Sequence, residues 1–269
     1  MMKQLSVVIV VYNQSCRQSL TCQQLQKIPH TDMQILIFDN STQDYGNRIY
    51  CEENGWIYLG GTGNLGLSKA YNTCIDYLKE TNFHGYVCLF DDDTELTADY
   101  FNALQKAMET GRKIFVPFVY SNGRILSPCR ITSYHKTILF PSEQAAAAYQ
   151  GTDITAINSG MALSFSIFDD YRYDENIFLD GIDHTHLRHM AAKNIVVSIL
   201  DVRFHHHFSG DEKPSKKSAL IRFGIFAKDY AYIFRAKKPA YWYLVGKRAL
   251  RLTLQYKSLD FLKILLRSK

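Results

Sequence analysis

The chain has 269 residues, 46% of them apolar and 21% charged, with six prolines and no low-complexity run, which excludes a disordered protein and allows one large domain with a sizeable core. Its six cysteines form no CxxC pair, the N-terminus carries no export signal, and no apolar run reaches the roughly 18 residues that cross a bilayer, so reduced thiols in a cytoplasm are expected. The net charge of +5 is uneven: residues 213 to 269 hold 15 Lys and Arg against Asp229 and Asp260, a net of +13, and leave the first 212 at −8. An acidic body with a basic tail points to an anionic surface, membrane or nucleic acid, as the tail's partner.

LSVVIVV (5 to 11) is a nearly continuous β-branched run, as expected of a strand buried on both faces of a parallel sheet. A polar, helix-permissive stretch follows, then a second such strand, MQILIFD (33 to 39), and a turn-rich DNSTQD. WIYLG (56 to 60) predicts a third strand. Leu67, Ala70, Tyr71, Cys74, Ile75 and Leu78 recur at helical spacing and predict an amphipathic helix over 66 to 81. YVCLF (86 to 90) is a fourth strand, and it ends in Asp91, Asp92 and Asp93. IFVPFVY (114 to 120) reads as another strand, 121 to 157 as irregular, INSGMALSF (157 to 165) as strand-like, and FLDGIDHTHLRHMAAK (178 to 193) as a loop running into a helix. NIVVSIL (194 to 200) closes the sheet, and helices are expected near 218 to 236, 240 to 253 and 258 to 267. The alternation implies a parallel α/β sheet with its active edge at the strands' carboxyl ends.

Three adjacent carboxylates at a strand end repel one another unless water or a cation offsets the cost, so the Asp91–Asp93 triplet is either a solvated turn or a cation site. Asp39 ends its strand in the same way, which suggests a shared polar site. Gly61, Gly63 and Gly66 spell GxGxxG between a strand and a helix, the main signal for a rival, NAD-dependent oxidoreductase. That fingerprint belongs in the first strand-to-helix turn, which here is Tyr12-Asn13-Gln14, so the loop is expected to line a nucleotide site without a dinucleotide. Asp180 and Asp183 lie where a strand-like segment meets a helix, followed by His184, His186 and Arg188; either acid alone reads equally as a helix cap. His205, His206 and His207 match no closed zinc site.

Together VVIVVYN (7 to 13), FDNS (38 to 41), Asn64-x-Gly66 with Asn72, LFDDDT (89 to 94), NSG (158 to 160) and FLDGIDHTHLR (178 to 188) resemble glycosyltransferase family 2, most of all its rhamnosyltransferase-like members, over roughly 5 to 210. The resemblance implies a GT-A type nucleotide-sugar-binding fold over residues 1 to 212, with a mostly parallel central sheet, a basic helical tail over 213 to 269, a nucleotide-diphosphate sugar donor and a divalent cation, Mg²⁺ or Mn²⁺. It assigns Asp39 to the nucleobase, Tyr12, Asn13, Asn64 and Gly66 to the nucleotide loops, Asp91 and Asp93 to the cation with Asp92 between them on the donor side, and His206 near metal and diphosphate. Asp183 corresponds to the catalytic base, with Asp180 as the alternative because His184 stands where many relatives carry an acid. Asp180, His184 and Arg188 fall on the acceptor side. dTDP-rhamnose is the expected donor and UDP-hexose the runner-up; a saccharide or lipid-linked saccharide is the acceptor, as in cell-surface polysaccharide synthesis. A non-catalytic nucleotide-sugar-binding module would keep Asp39 and the triplet but lack a base. Apolar and basic stripes in the tail (Trp242, Val245, Ala249, Leu252; Leu262, Leu265, Leu266) predict docking on the anionic inner face of the cell membrane or packing against the body or a second subunit. The body's negative charge argues against nucleic acid.

Overall fold

The computed structural model describes residues 4–29, 32–121, 123–132, 136–205 and 214–267. β1 (Gln4–Val11) lies between β2 (Met33–Asp39) and β4 (Gly85–Phe90), parallel to both, and β3 (Ile57–Gly60) extends the sheet beyond β2. Because side chains alternate across a strand, Val7, Ile9 and Val11 enter one core and Val8 the other, which is why the run has no polar phase. α1 (Leu20–Leu25), α2 (Asn47–Asn54) and α3 (Leu67–Glu80) connect these strands. α3 buries Ala70, Tyr71, Cys74, Ile75 and Leu78, the stripe its spacing predicts.

After α4 (Ala98–Met108) and β5 (Ile114–Ser121) the topology departs from simple alternation. The segment expected to be irregular holds β6 (Arg124–Ser127), β7 (Cys129–Ile131), β8 (Thr137–Leu139), α5 (Glu143–Ala147) and β9 (Ile154–Thr155); β8, β7 and β9 form a small antiparallel sheet. β10 (Met161–Ser164) is shorter than the strand-like segment and runs antiparallel between β4 and β5. Its start is fixed at Gly160 (φ +80°), where a Cβ would meet Phe204 at 2.5 Å and Pro117 at 2.7 Å. α6 (Ile182–Ala192) and β11 (Val197–His205) follow, and β11 pairs parallel with β5 at the sheet's edge. The order is β3-β2-β1-β4-β10-β5-β11 with β6 beside β5, a mostly parallel α/β sheet. All six cysteines are buried and free, packing as small apolar groups.

The tail consists of α7 (Lys216–Ile233), α8 (Lys238–Tyr256) and α9 (Asp260–Arg267), packed around Phe223, Phe226, Tyr241, Val245 and Phe261. This corrects the expected stripes. Val245 and Ala249 are fully buried in that core and Leu265 is buried with them, whereas α8 presents Trp242, Tyr243, Leu250 and Leu254 to solvent. The helix is apolar on more than one face, and packing against α7 and α9 selects the face with the smaller Val and Ala side chains. No helix among the described residues is long and apolar enough to cross a membrane.

Candidate active site

Parallel pairing brings four strand ends to one edge: Val11 stands opposite Asp39, Asp39 opposite Gly60, and Ile9 opposite Phe90. Tyr12, Asn13, Asp39 and Asp91–Asp93 therefore share that edge. Asp39 is buried and held rigidly: Oδ1 accepts the Ser41 N–H (3.1 Å), and Oδ2 accepts Asn47 Nδ2 (3.0 Å) and the Tyr58 hydroxyl (3.2 Å). Burial and the Asp39 charge push the Tyr58 phenol up to about 12, so it remains a donor. Asp39 opens into a cleft of about 630 Å³ lined by Ser41, Thr42, Arg48, Tyr58 and Gly61, with the Arg48 guanidinium 4.5 Å from the Tyr58 ring centroid. A flat ring and a carboxylate in one narrow cleft suit a nucleobase. The Gly60 backbone turns at φ +92° against Asp39, where a Cβ would lie 2.5 Å from the Asp39 carbonyl.

Asn13 laces the first loop to the second. Its N–H donates to Ser41 Oγ and its Oδ1 accepts from the Thr42 N–H and hydroxyl, each at 2.9 Å, while the neighbouring Tyr12 is half exposed. Asn64 takes a hydrogen bond from Asn40 Nδ2 (3.0 Å) and from the Gly66 N–H (3.1 Å), while the Leu65 N–H donates to Asn40 Oδ1 and the Leu67 N–H to the Phe178 carbonyl. The amides at this helix start are thus committed to protein acceptors. That disfavours a pyrophosphate seated on the GxGxxG loop. Gly66 is required by close approach: a Cβ would meet Phe178 at 2.6 Å.

The aspartate triplet is stapled by its backbone. Ser19 and Thr21, at the start of α1, donate to the Asp92 and Asp91 carbonyls (2.6 Å each), and Thr94 pairs with Ser159 at 2.5 Å. Burial, then the charges of Asp93, Asp92 and Asp183, push the Asp91 carboxyl up to about 7; burial and Asp93 push Asp92 up to about 6. Asp93 is exposed. Among the described residues no group of three or more His, Cys, Asp or Glu would hold a metal by itself. Three adjacent carboxylates, with Asp91 raised by burial and its neighbours' charges and Asp93 exposed at the edge, nevertheless fit a hard divalent cation, which Asp91 and Asp93 would hold. His206 lies outside the described residues.

Asp183 sits in the first turn of α6 behind Gly181 in the left-handed conformation (φ +80°). Its Oδ1 accepts the His184 N–H at 2.7 Å and lies 3.7 Å from His184 Nδ1, which in turn pairs with the Thr155 hydroxyl at 2.7 Å. Asp91 feels the Asp183 charge, so the start of α6 lies within electrostatic reach of the aspartate triplet. Asp180 is committed elsewhere: Arg222 of α7 grips both its oxygens, one at 2.8 Å. Arg188 is exposed and neighbours the Tyr230 phenol.

Three contributors escaped the sequence reading. Asn47 and Tyr58 orient Asp39, and Asp229 of α7, almost wholly buried, accepts the N–H groups of Phe178 (2.9 Å), Leu179 (2.9 Å) and Asp180 (2.8 Å). Asp229 was visible only as one of the two acids in a basic tail. Asn72 turned out to be structural, bonding Tyr173 and Glu175.

The sequence model described as Glycosyl transferase family 2 matches residues 6–172. The chain belongs to that family. The fold is of the GT-A type: a mannosyltransferase, PcManGT from Pyrobaculum calidifontis, solved with GDP-Man and Mn²⁺, superposes with TM-score 0.57 at 12% identity over 100% of this chain and 74% of its own. S. aureus TarS 1-349 in complex with UDP superposes with TM-score 0.53 at 14% identity over 85% of this chain and 65% of its own. The match thus spans just under two thirds of that TarS fragment and 40% of TarS itself. No curated protein matches the chain.

Proposed function

We propose that this glycosyltransferase is an inverting enzyme that moves a sugar from a nucleotide-diphosphate donor to a hydroxyl of a saccharide or lipid-linked saccharide in cell-surface polysaccharide synthesis. The observation that carries the reading is the gathering of the Asp39 cleft, Asp91–Asp93 and Asp183 at one sheet edge. In this reading Asp39, held by Ser41, Asn47 and Tyr58, receives the nucleobase. Asp91 and Asp93 hold Mg²⁺ or Mn²⁺, which when bound offsets the charge gathering on the leaving diphosphate. Asp183 accepts the proton of the acceptor hydroxyl as its oxygen attacks the anomeric carbon from the face opposite the leaving group, and a single displacement inverts that centre. The ion pair with Arg222 favours Asp183 over Asp180 as the base, and in this reading Asp180 shapes the acceptor side with His184 and Arg188. The Mn²⁺ and nucleotide sugar of the similarly folded mannosyltransferase are compatible with this chemistry.

The donor we assign is dTDP-rhamnose, on the resemblance to rhamnosyltransferase-like relatives, with UDP-hexose as the alternative. Residues 1 to 212 form the catalytic domain and 213 to 269 a docking module for the anionic inner leaflet. Tyr243, Leu250 and Leu254 beside Lys247 and Arg251 on the exposed side of α8 support that role. The deciding experiment offers the full chain, with Mn²⁺, a panel of nucleotide sugars and follows donor hydrolysis. Consumption of dTDP-rhamnose above all others is expected; no consumption of any donor, with or without metal, refutes the reading.

A further inference from the structure

The surface where the tail meets the base-bearing loop is crowded with arginines. Arg222 spends its guanidinium fork on Asp180. Arg248 on α8 lies over the Phe226 ring, 4.1 Å from its centroid, and its Nε is buried without a hydrogen-bond partner. Burial, with Arg222 and Arg251 adding to it, holds Arg248 below the ordinary arginine value, although Asp180 acts in the opposite sense. Asp229 offers no relief, because its two oxygens are taken by three backbone N–H groups. A half-buried guanidinium whose nearest carboxylate is already gripped by another arginine is a cation short of an anion, and a buried donor left unmade costs more than a made bond returns.

Position names the anion. Arg222 bonds Asp180 at 2.8 Å, and a Cβ at Gly181, the next residue, would meet the Tyr230 ring at 3.5 Å, so the turn that leads into Asp183 packs on α7. The arginine cluster therefore flanks the turn that carries the base. Arg222 and Arg251 are exposed, so the cluster is open to solvent. We infer that Arg248, beside the Arg222–Asp180 pair, forms an anion subsite that takes a phosphate or diphosphate group of the acceptor next to the base. The inference rests on the proposed function, whose lipid-linked acceptor would bring such a group next to its reactive sugar. Guanidinium forks match phosphate oxygens in pairs, which a lysine cluster would not do.

The probe is inorganic pyrophosphate in EDTA, measured by calorimetry on the full chain; without metal, the Asp91–Asp93 site repels such an anion. Wild type is expected to bind in a salt-sensitive manner, and Arg248→Gln to bind roughly tenfold to a hundredfold more weakly, as loss of one charged hydrogen-bonding partner dictates. Lys228→Gln removes an exposed charge of α7 outside the cluster and should change nothing; an equal loss there would reduce the effect to general attraction and overturn the inference. Circular dichroism of both variants establishes that they are folded. Phosphatidylcholine vesicles with and without phosphatidylglycerol separate the sources of phosphate: Arg248-dependent binding of the anionic vesicles alone, without pyrophosphate, would assign the cluster to a leaflet headgroup and overturn the acceptor subsite. No Arg248-dependent binding of either probe overturns the inference. Nucleoside diphosphate binding by wild type with Mn²⁺ tests the donor reading separately, so the two can fail independently.

Discussion

Asp229→Asn should damage catalysis more than donor binding. In the native chain two N–H groups converge on Oδ2 and one on Oδ1, at 2.8 to 2.9 Å, around a side chain only 1% exposed. The asparagine oxygen can keep the Leu179 and Asp180 N–H groups, but its NH₂ then faces the Phe178 N–H, donor against donor. One bond is lost and two fall from charged to neutral strength, a loss of about 2 to 4 kcal/mol after the relief of no longer burying a charge. That is a large part of an ordinary domain's 5 to 15 kcal/mol, yet small enough to leave a folded protein. The loop it releases, 178 to 180, leads through Gly181 directly into Asp183. Since a misplacement of about 1 Å can cost about a hundredfold, kcat should fall roughly tenfold to a hundredfold, while donor KM, set by residues on β1, β2 and β4, moves little. Steady-state transfer assays beside thermal denaturation read both quantities. A variant with lowered Tm but wild-type kcat, or with raised donor KM and intact kcat, would show that Asp229 serves stability alone. By the same reasoning a chain ending before α7 should lose transfer, because it loses Asp229 and Arg222 together.

Asp93→Asn should weaken Mn²⁺-dependent nucleoside diphosphate binding by about tenfold or more with little change in Tm, and calorimetry with and without EDTA reads it; indifference to both treatments removes the cation from this site. Asp183→Asn is nearly isosteric and should keep donor affinity while transfer falls by about 10²- to 10⁴-fold; if Asp180→Asn is the inactive variant instead, the base is misassigned. His186 packs in α6 between Tyr171 (4.6 Å) and Tyr173 (5.3 Å), and burial pulls its pKa down to about 3 from the usual 6.5. Below pH 6.5 the unfolded chain takes up a proton that the folded one refuses, so this contribution is complete above pH 6.5 and is lost as pH falls toward 3, by up to about 1.4 kcal/mol per unit. Urea titrations at pH 7 and pH 5 should show a shallower acid loss for His186→Phe, and parallel pH dependence of variant and wild type would show that the imidazole titrates normally.

The parallel half of the fold was legible because burial on both faces leaves a mark on every residue of β1, β2 and β4, and because α3 shows its inner stripe without ambiguity. The antiparallel half was not. β6 to β9 are two to four residues long, too short for alternation to rise above composition, and the place of β10 between β4 and β5 is set by Gly160 and its packing, a contact with Phe204 far along the chain. At the site, carboxylates at strand ends announced themselves, whereas Asn47 and Tyr58 did not, since an asparagine at a helix start and a tyrosine in a strand have common structural uses. The tail misled for a different reason. α8 carries apolar side chains on two faces, so periodicity named the Val245–Ala249 stripe without saying whether it met lipid or protein.

The tail's two acids bear on its charge. Asp260 binds Lys263 (2.9 Å), Lys216 (3.1 Å) and Ser258 (2.9 Å), tying α9 to α7, and Asp229 ties α7 to the loop that leads into α6. Each holds helices in place, and two acids against 15 Lys and Arg leave a cationic excess that includes the exposed Lys247 and Arg251. Charge of one sign confined to one module must find its counter-ions outside it, in solution or in a partner. Binding to an anionic leaflet should therefore weaken steeply between about 0.05 and 0.5 M salt, as exposed charges are screened over a Debye length that shrinks with ionic strength. Co-sedimentation of the full chain with phosphatidylglycerol vesicles measures this, with neutral vesicles as the control. Equal binding to both, unaffected by salt, would assign contact to Tyr243, Leu250 and Leu254 and leave the basic residues to another anion.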